Sequence, residues 1–348
     1  MSKMKIQRKL GIILGALTLS MSAFQNAKAA EKWGYINSDG NFAIKADYDE
    51  GLAFSEGLAA VKPSGKSLWG YIDKEGKVTI EASFEAAGSF NGGLAPAQDS
   101  QSKLWGFIDK SGKFVVKPAF AALSPLSDGL ACAKDDSKYG YVDKEGRWQI
   151  NPQFDVACSF SEGKALVSNY ASGIISYSSR GNVHFASGAS WRYIDTKGQE
   201  VLPYQVNDCG DFKDGVAPVA TGANSGSNRP DRWGFISDKG KFVIAPKFAN
   251  AQIAGEKTIA VQMGKWLNLG KGVQIFQPGK WGYISTSGKT LIKPQFDAAD
   301  PFSEGLAAVK LNGKWGYIDK TGNLKIEPKF NANLEFKDGL APVQIDVQ

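Results

Sequence analysis

His184 is the only histidine in the chain. A Ser–His–Asp mechanism or a histidine-rich metal site would have to be built on it. It sits in a stretch rich in Ser and Gly, which is a poor frame for holding an imidazole against a nucleophile. No H-E-x-x-H, G-x-S-x-G or P-loop pattern occurs. Glycoside hydrolysis needs two converging carboxylates, and none of the 35 acids stands out as a pair. In the S-E-G-L-A-like motif of successive units six acids precede the glycine: Glu56, Asp128, Glu162, Asp214, Glu304 and Asp338. One to a blade in a ring, they stand apart and read as turn residues rather than calcium ligands. Cys132, Cys158 and Cys209 stand among small residues and read as buried hydrophobes, with a Cys158–Cys209 bridge as the alternative. The residues therefore point away from catalysis, and no cofactor is expected.

The chemistry that remains is recognition. Three segments combine aromatics with Arg, Asn and Lys, the usual makings of an anchor patch. Residues 169–190 offer Tyr170, Tyr177, Arg180, His184 and Phe185. Residues 221–231 offer Asn228 and Arg229, with Arg232 adjoining. Residues 263–280 offer Lys265, Trp266, Asn268 and Phe276. If these are loops at one place in neighbouring units, they emerge side by side on one face.

What must position them is a repeat. The pattern W-G-[YF]-I-[DSN]-x-x-G-[KRN] starts at Trp33, Trp69, Trp105, Trp233, Trp281 and Trp315, with degenerate copies at Tyr139 and Trp191. Residues 302–330 serve as the template. Gly305–Lys310 is strand A, Leu311-Asn312-Gly313-Lys314 a turn, and Trp315–Asp319 strand B. Asp319 to Gly322 suits a type I turn followed by a left-handed glycine. Strand C follows and is expected to end at Pro328, because proline cannot donate to a ladder. An F-x-x-A-x-x-F segment such as Phe84, Ala87, Phe90 then forms a crowded inner strand D. Each unit is an antiparallel four-stranded meander of about 40 residues. The stretch from Glu256 to Gln262 makes a poor strand A.

The fold class is all-β: eight repeat units closing into an eight-bladed propeller, with an open β-solenoid as the alternative. Closure is suggested because the chain after residue 29 opens on a strand B and stops just after a strand A. Pairing the two would remove an exposed sheet edge.

The run K-W-G-Y-I-D-K-x-G-K, followed by I-x-P-x-F and S-E-G-L-A, resembles the WG-repeat (KWG-repeat) family of bacterial proteins. The resemblance covers residues 31–348. It implies a binding or interaction module with no shared enzymatic activity. Tyr139 in place of Trp and Arg192 in place of Gly depart from the pattern.

Residues 1–29 read as a secretory signal peptide: a basic start, an apolar stretch from Leu10 to Met21, and Ala27-Lys28-Ala29 at the cleavage site. Residues 30–348 then form a single β domain. The signal holds five of the 41 basic residues and no acid, so the remainder is nearly balanced and calls for no nucleic-acid partner. No later stretch is apolar for long enough to span a membrane. The expectation is a secreted or periplasmic, monomeric, non-enzymatic scaffold that binds a protein partner. A glycan of the cell envelope is the alternative ligand, and a hydrolase the least favoured reading.

Overall fold

A computed structural model describes residues 30–169, 176–177, 182–184, 191–202, 208–221, 232–270 and 273–347. The signal-peptide assignment falls outside these residues. Every regular element described is a β-strand, and all the pairings are antiparallel.

Unit 8 shows the plan. Strand A (Leu306–Leu311) pairs with strand B (Lys314–Asp319) through the two-residue Asn312-Gly313 turn, where both residues have positive φ. This is the type I′ geometry that Asn-Gly favours. Strand B pairs with strand C (Leu324–Phe330) through the expected tight turn. There the Gly322 N–H donates to the Asp319 carbonyl at 2.9 Å, Gly322 lies at φ 88°, and the Asp319 carboxylate accepts from the Thr321 and Asn323 amides. Strand B is the middle of each sheet, so Trp315 to Ile318 are buried without alternation.

Two expectations about the end of the unit are corrected. Strand C does not stop at the proline. It runs through Pro328 to Phe330, which pairs with Trp315. The register jumps from Tyr317↔Ile326 to Trp315↔Phe330, so three residues of strand C bulge opposite Gly316 alone. A bulge removes the need for an N–H, which is why proline is accepted there. Strand D, in turn, does not close a meander with the strand C before it. It pairs with the strand A that follows, giving the order D-A-B-C. In the first units C and D are one strand: Phe42–Gly51 pairs with strand B at Ile44 and with the next strand A at Gly51. The bulge bends the chain away from its own sheet and hands it to the next.

The same contacts recur at six junctions, with Phe107 and Phe235 in the tyrosine's place in units 3 and 6. Tyr35, Tyr71, Tyr141, Tyr193, Tyr283 and Tyr317 each donate their hydroxyl to a carbonyl seventeen positions on, at 2.8 to 3.0 Å. Each ring also meets edge-on, or in one case tilted, the phenylalanine that closes strand D, with centroids 4.6 to 5.0 Å apart. The terminal units meet as well. Ala30–Ile36 pairs along its whole length with Ala341–Val347, and a side chain at Gly40 would strike Ile326.

The stretch around Glu256, expected to be a weak strand A, precedes one of the two longest strands described. Thr258–Gly270 forms a hairpin with Val273–Ser285. Glu256 and Lys257 supply its entry turn, both with positive φ. The pattern was obscured because the glycine precedes the acid here, and Lys257 takes the place glycine has elsewhere.

Candidate functional site

The repeated tryptophans are the first candidates for a ligand platform, and their burial removes them. Trp191 is fully buried, and Trp69, Trp233, Trp281 and Trp315 are nearly so. Trp33 and Trp105 are half-buried. All of them but Trp33 pack within the unit clusters. A ring locked into a core cannot stack on a sugar.

The acids before glycine form a chain of links between units. Each sits at φ of 51° to 54°, the first residue of a two-residue turn. Each carboxylate accepts from the backbone N–H of the corresponding turn in the next unit: Glu56 from Gly93, Asp128 from Gly163, Glu162 from Gly215, Asp214 from Lys257 and Glu304 from Gly339. Glu256, absent from the sequence pattern, accepts from Gly305 at 3.0 Å. Asp338, in the last of these turns along the chain, accepts from Gly57, in the first of them, at 2.8 Å. Gly92 holds the position in the third unit, and there Asn91 bonds to the Leu126 carbonyl instead. Charge-assisted bonds of this kind contribute about 1.5–3 kcal/mol when sheltered and less when exposed. Among the described residues no group of three or more His, Cys, Asp or Glu side chains could hold a metal.

The three cysteines are buried thiols, and none is in a disulfide. Burial pushes the Cys132 thiol up to about 12, far from a nucleophile's range. The core around Cys158, Cys209 and Tyr193 borders Asp211, whose carboxyl is pushed up to about 6 by desolvation, with Lys213 opposing. The folded state therefore holds the Asp211 proton more tightly than the unfolded chain. Its contribution to stability is largest at acid pH and is lost as pH rises from the ordinary carboxylate value towards 6. Asp211→Asn is expected to raise the melting temperature at pH 7.5 and leave it unchanged at pH 4, as thermal denaturation at the two pH values would show. Equal shifts at both would mean that the carboxyl is not desolvated.

The recognition segments divide three ways. Tyr170, Arg180, Phe185, Asn228 and Arg229 lie outside the described residues. Tyr177 and His184 fall in two short paired strands, Ser176–Tyr177 and Asn182–His184. The second of these pairs with Asp208–Gly210, strand D ahead of unit 6. This part of the first insertion therefore extends a sheet, where a loop was expected. Arg232 opens strand B of unit 6, half-buried and opposite Thr221. The third insertion is likewise a two-stranded ribbon, a continuation of strands A and B of unit 7. Its register sets Lys265 opposite Gln277, Trp266 opposite Phe276 and Asn268 opposite Gln274. Four of the expected residues thus come together on one rigid element, with Lys265 exposed.

At the root of this ribbon lies a crevice that sequence reasoning missed. It has a volume of about 160 Å³ between strand C of unit 6 and the sheet of unit 7. Phe248, Val261, Met263, Tyr283, Ile292 and Pro294 line it, and Lys247 and Thr290 stand at its margin. Met263 is 42% exposed. The sequence signal was Thr290, a small polar residue where units 3 and 4 begin strand C with Phe114 and Trp148.

Comparison with known proteins agrees with the repeat. The family model described as WG containing repeat matches at residues 33–66, 69–100, 105–139, 139–170, 191–223, 233–266, 281–315 and 315–346. No curated protein matches the chain. Among solved structures, the tricorn protease is similar at 10% identity and a TM-score of 0.32, over 89% of this chain and 32% of that one. The V. cholerae biofilm matrix protein Bap1 is similar at 10% identity and a TM-score of 0.29, over 92% of this chain and 88% of that one. The extracellular domain of a putative hybrid two-component system from B. thetaiotaomicron is similar at 10% identity and a TM-score of 0.27, over 87% of this chain. The present chain spans about a third of the length of the first of these structures and about half (55%) of the last. Likenesses this distant assign neither an activity nor a partner.

Proposed function

The chain belongs to the WG containing repeat family, and from that premise we propose that it is a non-enzymatic scaffold that binds a protein partner through the insertions of units 5 to 7. Residues 1–29 direct it out of the cytoplasm, and the eight units close into a propeller-type ring that acts as a monomer. Closure is supported by the pairing of Ala30–Ile36 with Ala341–Val347 and by the link from Asp338 to Gly57. A scaffolding role for the recurrent acids is supported by their use as acceptors for neighbouring backbone.

The observation that carries the binding role is the ribbon of unit 7. Unit 8 joins strands A and B by two residues, whereas unit 7 extends both strands to thirteen. The ladder holds the backbone at Lys265, Trp266, Asn268 and Phe276, which leaves less backbone ordering entropy to lose on binding. Replacing residues 263–280 by an Asn-Gly turn copied from unit 8 tests this. In a pull-down from envelope extract, the shortened chain is expected to melt like the parent and lose its captured protein. Full capture by the shortened, folded chain would put the binding face elsewhere. Retention on purified peptidoglycan, lost in Trp266→Ala, would favour the glycan alternative.

A further inference from the structure

We infer that the crevice between units 6 and 7 receives one aromatic side chain from an acidic polypeptide segment, an inference that rests on the protein-binding reading and names the partner's chemistry. Charge is the first observation. From Lys239 to Phe296 the sequence holds nine lysines, no arginine and one acid, Glu256, while the rest of residues 30–348 carries an excess of acids. That single acid is already engaged, with Gly305 N–H and with Lys320 of unit 8 at 2.9 Å. Lys280 pairs with Asp297. Among the described residues, Lys239, Lys241, Lys247, Lys265, Lys289 and Lys293 are exposed and form no ion pair. Lysines gathered this way raise the local concentration of carboxylates and speed their association.

Position is the second observation. Lys247 borders the crevice, with its ammonium over the Phe248 ring. Lys289 lies between Gly288 and Thr290, which both line it. Lys265 follows the crevice residue Met263 by two positions on the same strand. The crevice is thus an apolar socket with a cationic rim.

The socket exists because one side chain is small. Phe114 packs edge-on against Phe84 at 5.8 Å, and Trp148 against Phe120 at 5.6 Å. Those residues begin strand C in units 3 and 4, opposite Ile108 and Val142. Thr290 begins strand C in unit 7, opposite Ile284, and leaves Phe248 without that partner. An incoming ring would take the place that Phe114 and Trp148 take in their own units.

Size and polarity choose the occupant. A cavity of about 150 Å³ lined by apolar side chains accepts a benzene ring, and this one is about 160 Å³. It is too small for a lipid chain and too apolar in its lining for a sugar. A phenylalanine flanked by carboxylates matches both socket and rim.

The test uses the chain from residue 30 onward and a labelled synthetic peptide of Glu and Ser with one central Phe. Anisotropy titration is expected to show binding that weakens with salt. Replacing the peptide's Phe by Ala, or Thr290→Phe in the protein, is expected to weaken it at least tenfold. Lys247→Glu with Lys289→Glu is expected to weaken it similarly and to flatten the salt dependence. Thr290→Phe should melt like the parent, since units 3 and 4 accommodate an aromatic there; if it melts early, the peptide's Ala control and the lysine variant decide. Equal binding of the Phe and Ala peptides, or of Thr290→Phe and parent, would overturn the inference. So would phosphatidylglycerol vesicles or polygalacturonate binding as tightly and losing binding in the same variants. Salt-sensitive self-association abolished by Thr290→Phe would assign the socket to a second copy of the chain and overturn it too. If ribbon truncation abolishes capture while Thr290→Phe does not, only this inference fails; if neither does, the protein-binding reading through the ribbon fails with it.

Discussion

Gly106→Ala is expected to destabilise the protein by about 3 kcal/mol, which at this size lowers the melting temperature by about 4–5 °C. A methyl group at Gly106 would lie 2.3 Å from the Val116 carbonyl oxygen, 2.9 Å from Pro118 N and 3.0 Å from Lys117 C. All three are backbone atoms of strand C, so no side chain can turn aside to make room. Strand C would have to leave the bulge that lets it pass to the next unit, and the Trp105↔Phe120 pair with it. Gly57→Ala is the control. That glycine, unlike Gly106, has a left-handed backbone, φ 85°, and a side chain there meets no heavy atom within 4 Å. Its penalty is conformational only, about 1–2 kcal/mol. Equal melting of the two variants would refute the role given to the WG glycine. Unit 5 already carries Arg192 at this place. There the guanidinium lies 5.8 Å from the Phe154 ring centroid of unit 4, and the described pairing of strand C is the single bridge Ile194↔Glu200.

Deleting residues 341–348 is expected to cost about 5 kcal/mol or more and to make the protein aggregate on heating. The deletion removes the whole strand that pairs with Ala30–Ile36 on one side, and with it Ala341 and Val343, both fully buried. Burying a valine alone is worth about 1.5–3 kcal/mol. The loss also bares a strand edge carrying Trp33 and Tyr35. In an open solenoid the same deletion would only shorten a frayed end. A circular permutant separates the two readings. Joining residue 347 to residue 30 through a short Gly-Ser linker, with new ends at the exposed Gln101–Ser102 turn, should keep the parent's melting temperature within a few degrees. A deletion variant that melts like the parent would remove the argument for closure.

The repeat was legible because its chemistry is local. Asn312-Gly313 and Asp319 to Gly322 specify their turns from neighbouring residues alone, and both formed as read. Strand C was misjudged because the rule against proline in a ladder applies only where an N–H is needed. The bulge opposite glycine removes that need, and a bulge depends on two strands at once. Glu256 was overlooked because a shifted glycine broke the written pattern, while the link it makes to Gly305 is decided by the next unit.

The candidate site was less legible. Met263–Lys280 was read as a loop because Gly264, Gly270, Gly272, Pro278 and Gly279 interrupt its strand character. The ladder of strands A and B beneath it continues outward all the same. The crevice beside it could not be read from either unit, since its walls come from both. Thr290 is unremarkable in its own strand and matters only through Phe248, more than forty positions earlier.

The sequence alone determined the repeat, its count, its turns and its membership of an all-β family, because these depend on period, on glycine and asparagine conformers, and on residues within one unit. Only the tertiary structure decided that each strand D joins the following sheet, that the first and last strands pair, and where an apolar socket opens under a lysine rim. Those outcomes depend on which backbones approach each other across units, and a contact between distant segments leaves no local mark until both are in place.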